Sequence, residues 1–147
     1  MTLDDVADMI KRHEGSGYNK RRNRFEVYLD TEGVPTCGWG HALHVGSYVP
    51  LDICLKFFGH DFSTAISDAE YIQKKFGIDL DTVREGVLID MAFQLGRSKL
   101  MEFKKMLAAL CIDDFDEAAK QILDSKAAKQ CPSRYKELSK MMRKGEV

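Results

Sequence analysis

Apolar residues recur at intervals of three and four along most of the chain, and this spacing predicts helices. A first helix is predicted over 2–14, with an apolar stripe formed by Leu3, Val6 and Ile10. Glu14 continues this stripe, so we expect its carboxyl group to lie at the rim of the core, partly withdrawn from water, as a general acid requires. A long helix is predicted over 50–76, from a stripe that comprises Leu51, Leu55, Phe58, Phe62, Ala65, Ala69, Ile72 and Phe76.

The segment between these helices has a different pattern, which predicts a β-rich lobe of two or three short strands over 15–48. The alternation of apolar and polar residues typical of a half-buried strand is carried by Phe25, Val27 and Leu29. Asp30 opens an Asp-Thr-Glu-Gly turn, and the return strand is predicted over 34–37. Asp30 and Thr36 are therefore expected to converge on one spot.

After residue 77 the pattern predicts a lobe of packed helices over 78–147. Three helix starts are recognisable, because Asp81, Asp114 and Pro132 each stand just before or at the beginning of an amphipathic pattern. The predicted fold class is therefore α+β and mostly helical. We expect one domain, in which the long helix joins a small β-hairpin lobe to a helical C-terminal lobe.

The composition fits an ordinary globular chain of 147 residues, with 44% hydrophobic and 31% charged residues and a formal net charge of −1. This balance gives no indication of a nucleic-acid partner. No apolar run suits a membrane span or a signal-peptide core, so we expect no membrane insertion and a chain that stays in the cytoplasm. The four cysteines are far apart and form no CxxC pair, which favours free thiols over disulfides or a metal site.

Two carboxylates and a hydroxyl, Glu14, Asp30 and Thr36, form the candidate catalytic set. Glycoside hydrolysis uses one carboxylic acid to protonate the leaving oxygen, and a second carboxylate to activate a water or to stabilise the charge developing on the sugar. A glutamate at a helix end and an aspartate in a turn are, however, more often a solvated charge and a turn former. Spacing alone leaves both interpretations open.

The chain contains two distinctive strings, His-Glu-Gly at 13–15 and Tyr-Leu-Asp-Thr-Glu-Gly-Val-Pro-Thr-Cys-Gly-Trp-Gly-His at 28–41. These strings resemble the active-site segment of the phage-type lysozymes, glycoside hydrolase family 24. The resemblance implies that Glu14 is the catalytic acid, Asp30 its carboxylate partner and Thr36 the hydroxyl that helps to position the attacking water. It implies hydrolysis of the β-1,4 bond between N-acetylmuramic acid and N-acetylglucosamine in peptidoglycan, with inversion and without a metal or cofactor.

The resemblance extends into the helical part through Phe93-Gln94-Leu95-Gly96 and Pro132-Ser133-Arg134. It implies a lysozyme-like fold in which helix 2–14 packs on the helical lobe. Gln94 is then expected to support the site, and Arg134 to reach back and form an ion pair with Glu14.

A structural ion pair between His41 and Asp61 is also implied by the resemblance. This pair is expected to connect the hairpin lobe to the long helix without taking part in the chemistry. A metal site formed by His41, His44 and Asp61 is the alternative for these residues, but it has no further well-spaced ligand.

The chain departs from this family between Glu14 and Asp30, where Lys20-Arg21-Arg22-Asn23-Arg24 resembles an insertion with four basic residues in five. Such a segment is suited to holding phosphate-bearing wall polymers or acidic groups of the glycan. A solvated loop tip is an equally good interpretation.

By this resemblance the protein is expected to be a phage or prophage endolysin, a monomer that waits in the cytoplasm until a separate membrane-pore protein, a holin, releases it. Two alternatives remain. One is a lytic transglycosylase, which works with a single carboxylate and forms an anhydro product. The other is a catalytically silent peptidoglycan-binding module on the same fold.

Overall fold

The computed structural model describes residues 2–147 and divides the chain into two compact units, an N-terminal unit that ends at Pro50 and a helical unit from Leu51 to Val147. The N-terminal unit contains α1 (Leu3–Glu14), β1 (Tyr18–Asn19), β2 (Arg24–Phe25), β3 (Tyr28–Leu29), β4 (Pro35–Cys37) and β5 (His41–Ala42). The helical unit contains α2 (Leu51–Phe76), α3 (Thr82–Leu100), α4 (Lys104–Leu110), α5 (Phe115–Leu123), α6 (Lys126–Gln130) and α7 (Pro132–Lys144). The mostly helical α+β class is confirmed. Across residues 2–147, no helix has the length and apolar character that a membrane span needs.

Helix α1 begins at a capping box, in which Asp5 N donates to Thr2 Oγ1 at 3.2 Å and Thr2 N donates to Asp5 Oδ2 at 2.6 Å. Gly15, with φ of 68°, ends the helix. None of its 12 residues, all of which the structure describes, is buried. The expectation that Glu14 lies at the rim of a core is therefore wrong: its side chain is exposed, because so short a unit buries little surface.

The N-terminal unit forms two antiparallel sheets, one of β1 and β2 and the other in the order β3-β4-β5. The single strand predicted through Phe25, Val27 and Leu29 is wrong, because β2 ends at Phe25 and β3 begins at Tyr28. The basic segment causes this division, since it folds as the tip of its own hairpin, with Asn19 paired to Arg24. The predicted return strand is confirmed as β4.

The hydrophobic core of the described chain lies in the helical unit. Its largest fully buried side chains are Tyr135, Ile72, Leu88, Met91, Leu100, Met106, Leu110, Ile122, Met142 and Val87. Only the second half of α2 contributes, through Ala65, Ala69 and Ile72. The predicted burial of the first half is wrong, because apolar periodicity marks a helix face but does not supply the element that covers it; the exposed residues are Leu51, Leu55, Phe58 and Phe62.

The predicted helix starts are confirmed in the helical unit. Asp81 accepts hydrogen bonds from Val83 N and Arg84 N, both at 3.0 Å, at the start of α3. Asp114 caps α5, and Pro132 is the first residue of α7. The pattern did not predict α6.

Arg84 connects the beginning of α3 to the end of α7. Its Nη1 lies 2.6 Å from Asp81 Oδ2, while Nε donates to Met142 O at 2.7 Å and Nη2 donates to Arg143 O at 3.0 Å. Burial opposes ionisation of Asp81, but the hydrogen bonds from Arg84 outweigh it and lower the pKa of Asp81. A charged side chain thus satisfies carbonyl groups that α7 leaves unpaired at its C-terminus.

Candidate active site

All three predicted catalytic residues lie in the N-terminal unit. Glu14 is the last residue of α1, and its carboxyl group lies against the turn between β4 and β5. A methyl group added at Gly40 would stand 3.1 Å from Glu14 Oε2, and Gly40 has φ of 89°, a backbone conformation that favours glycine. Gly40 therefore leaves room for the carboxyl group of Glu14.

The backbone of its own turn holds the carboxylate of Asp30. Asp30 Oδ1 accepts hydrogen bonds from Glu32 N at 2.9 Å and from Val34 N at 2.8 Å, and Asp30 N donates to Val34 O at 3.0 Å. Oδ1 is therefore occupied, while Oδ2 receives no hydrogen bond from the part of the chain that the structure describes. The side chain is exposed, so Oδ2 is available to a water or a substrate.

Thr36 shares a sheet face with Asp30. The register pairs Tyr28 with Thr36 and Leu29 with Pro35, so Asp30 is a diagonal neighbour of Thr36, a relation that typically separates side chains by about 7–8 Å. Thr36 is buried, and its hydroxyl donates to Val34 O at 2.9 Å. Its proton is therefore used, and the oxygen remains an acceptor for a water molecule.

Glu26 lies between Glu14 and Asp30 in the sequence and is a second glutamate that could be considered as the acid. Its carboxylate accepts from Arg24 Nε at 2.8 Å, from Asn19 Nδ2 at 3.1 Å and from Arg22 Nη1 at 3.3 Å. The hydrogen bond from Asn19, followed by that from Arg24, lowers the pKa of Glu26. A carboxylate held in its ionised form is poorly suited to donate a proton, which leaves Glu14 as the candidate acid.

The ion pairs of Glu26 also change the charge of the basic segment. Arg22 and Arg24 are both paired with Glu26, whereas Lys20 and Arg21 have no acidic partner among residues 2–147. Glu26 thus offsets one of the four positive charges that the sequence suggested, and two cations, Lys20 and Arg21, stay without an acidic partner within the described residues.

The predicted supporting residues of the helical unit have partners of their own. Arg134 Nε donates to Asp90 Oδ1 at 2.7 Å, and Gln94 Oε1 accepts from the hydroxyl of Tyr135 at 2.9 Å. Asp90 was not predicted, although it stands one helical turn before Gln94 on α3 and faces the same side. The pairing of Arg134 with Glu14 stays a prediction.

His41 and Asp61 belong to different units, His41 to β5 and Asp61 to α2. Both are exposed, and their ion pair stays a prediction. Within the described chain, no three histidine, cysteine, aspartate or glutamate side chains are grouped so that they could hold a metal ion.

The phage lysozyme family model matches residues 16–143, so the chain belongs to the phage lysozyme family. The resemblance to this family is thereby confirmed, with the string at 28–41 inside the matched range, and at family level the chain is a lysozyme-like peptidoglycan hydrolase. Asp30 and Thr36 lie inside the matched range, whereas Glu14 precedes it.

Three relatives illustrate how far the similarity extends. The chain is 26% identical to "Probable T4-type lysozyme 1" of Dictyostelium discoideum, over 99% of this chain and 97% of the relative. It is 28% identical to "Probable T4-type lysozyme 2" of the same organism, over 90% and 89%. It is also 24% identical to the "Pre-baseplate central spike protein Gp5" of Enterobacteria phage T4, where the match spans 97% of this chain but 28% of the larger protein.

Proposed function

We propose that this chain is a muramidase that hydrolyses the β-1,4 bond between N-acetylmuramic acid and N-acetylglucosamine, with inversion at the anomeric carbon. One observation carries the proposal: a single compact unit contains the carboxyl group of Glu14, which has no hydrogen-bond partner among residues 2–147, and a second carboxylate and a hydroxyl, Asp30 and Thr36, that share one sheet face. Membership of the phage lysozyme family supports it.

In the proposed reaction the carboxyl group of Glu14 donates its proton to the glycosidic oxygen as the bond to the anomeric carbon breaks. A water adds to that carbon from the opposite side and gives a proton to Oδ2 of Asp30. The Thr36 oxygen accepts the second hydrogen of this water and orients it. The turn hydrogen bonds to Oδ1 fix the direction of the Asp30 carboxylate, so little rearrangement is needed at the moment of reaction.

Mass spectrometry of digested peptidoglycan tests this proposal. We expect fragments that end in a reducing N-acetylmuramic acid, and NMR at early times should detect the α-anomer if the configuration is inverted. An anhydro-muramic end would indicate a transglycosylase, a reducing N-acetylglucosamine end would indicate a different bond, and no fragments would indicate a binding module. Any of these three results contradicts the proposal.

The wider biological role stays a prediction from the sequence. Storage in the cytoplasm, release by a holin and a monomeric state belong to a phage endolysin, whereas two of the relatives come from Dictyostelium discoideum. The digestion experiment tests cleavage of the glycosidic bond directly, whichever biological role the protein has.

A further inference from the structure

A row of three exposed aromatic side chains, Tyr18, Phe25 and Trp39, stands in the N-terminal unit and has no part in the proposed chemistry. The ring centroids of Tyr18 and Phe25 are 5.1 Å apart at an interplanar angle of 61°, and those of Phe25 and Trp39 are 5.6 Å apart at 60°. The three residues are 42%, 54% and 49% exposed. Adjacent large rings that remain this open to solvent are typical of a binding surface.

The row is held in place by the elements beneath it. Tyr18 and Phe25 are directly paired across β1 and β2, and the Tyr18 hydroxyl donates to Asn23 Oδ1. Lys11 Nζ lies 5.7 Å from the centroid of the Trp39 ring, where a cation–π interaction is favourable. The rings are therefore ordered before any ligand arrives, which reduces the entropy lost on binding.

One end of the row adjoins the candidate acid. Trp39 immediately precedes Gly40, against which the carboxyl group of Glu14 lies. Lys11, beside Trp39, stands one helical turn before Glu14 on α1. The row therefore starts next to the proposed point of cleavage and crosses β2 and β1 at the Phe25–Tyr18 pair, and the Tyr18 hydroxyl reaches Asn23 in the hairpin turn.

The chemistry of the row fits a glycan strand. One face of a pyranose ring presents C–H groups, which carry a small positive charge and pack on the negative face of an aromatic ring. At the hairpin tip, the unpaired cations Lys20 and Arg21 complement the carboxylates of the peptides that peptidoglycan carries. Sugar faces and acidic peptides occur together in peptidoglycan.

We infer that Tyr18, Phe25 and Trp39 form a carbohydrate-stacking subsite that holds the glycan strand of peptidoglycan beside the bond to be cut. The inference rests on the proposed function for the identity of its ligand. It adds a binding surface on the hairpin that contains the basic insertion, outside the catalytic set.

Trp39 is the single tryptophan of the chain, so its fluorescence reports on this subsite. The experiment titrates the Glu14→Gln protein with chitohexaose, an uncharged probe, and repeats the titration after adding Phe25→Ala. Phe57→Ala is the matched control, because Phe57 is also 54% exposed but lies on α2. We expect the ligand to change the fluorescence, Phe25→Ala to weaken binding by roughly tenfold, as for loss of one stacking ring, and Phe57→Ala to leave binding unchanged.

Phe25→Tyr keeps the ring and should restore binding, which separates stacking from damage to the hairpin. Equal affinities for the Glu14→Gln protein with and without Phe25→Ala would overturn the inference, as would an unchanged Trp39 signal when calorimetry detects binding. Absence of binding by both methods overturns it as well. Wall digestion by the wild type is measured separately: binding at this row without digestion would contradict the proposed function alone, and digestion without such binding would contradict the subsite alone.

Discussion

The two units of this chain differ in what holds them together. In the helical unit, buried apolar side chains from α2 to α7 form one core, whereas in residues 2–50 Thr36 alone is buried. The N-terminal unit depends on turn hydrogen bonds, paired strands and glycines such as Gly40 that allow close approach. Hydrophobic burial therefore stabilises one unit, and the other keeps its polar groups open to a substrate. Most of the stability and the proposed chemistry lie in different segments.

Removing a large side chain from each unit tests this contrast most strongly. Leu88→Ala, in the core, should lower the free energy of unfolding by about 2–5 kcal/mol through lost burial and a residual cavity. Leu29→Ala, at a residue that is 67% exposed, should change it by less than about 0.5 kcal/mol. Urea unfolding measures both. Equal losses would show that the N-terminal unit has a core of its own.

Arg84 tests how much a polar side chain contributes to the stability of the helical unit. Arg84→Ala leaves two carbonyl groups at the end of α7 without their charged donor, so we expect a loss of about 2–3 kcal/mol. Arg143→Ala is the matched control, because its pair with Asp116 is exposed on both sides and should contribute about 0–1 kcal/mol. If the two variants unfold at the same urea concentration, Arg84 does not have the role assigned to it.

Asp81→Asn should change the free energy of unfolding by a smaller amount, and this change should depend on pH. The pKa of Asp81 is lowered in the folded protein, so the stability that its charge contributes is present above the ordinary value of 3.8 and is lost as pH falls through the folded pKa. At pH 7 the variant should be less stable by about 0.5–1 kcal/mol, because asparagine keeps the helix cap but loses the charge that is paired with Arg84. The difference between wild type and variant should shrink in acid; a constant difference would exclude linkage to this carboxylate.

Local patterns predicted the helix starts, because a cap or a turn depends on neighbouring residues. The roles of Glu14, Asp30 and Thr36 came from the resemblance of a motif and stay predictions. The five-residue helix α6 escaped prediction, since it is too short to show a period. The division between β2 and β3 depends on a hairpin turn in which Asn23 has φ of 52°, a feature that the spacing of apolar residues does not contain. The pairing of Arg134 with Asp90 and the approach of Gly40 to Glu14 are tertiary contacts, which spacing along the chain cannot supply.

The smallest predicted effect concerns the cations of the hairpin tip. The double variant Lys20→Gln, Arg21→Gln should reduce activity on whole walls at low salt, where the Debye length is about 30 Å at 0.01 M, and hardly at all near 1 M, where it is about 3 Å. The control removes the same charge from Arg22 and Arg24, which are already paired with Glu26, and should have a weaker effect. Parallel salt curves for wild type and the Lys20, Arg21 double variant would show that the hairpin tip is only solvated.

The most direct test of the account replaces Glu14 by glutamine and measures digestion of peptidoglycan. The amide keeps the shape of the side chain but cannot donate the proton, so we expect a loss of about 10²–10⁴-fold with the unfolding transition unchanged. Glu26→Gln, in the same unit, should retain most of the activity, because its carboxylate is held by Asn19, Arg22 and Arg24. Full activity in Glu14→Gln, or its loss in folded Glu26→Gln, would contradict the assignment of Glu14 as the catalytic acid.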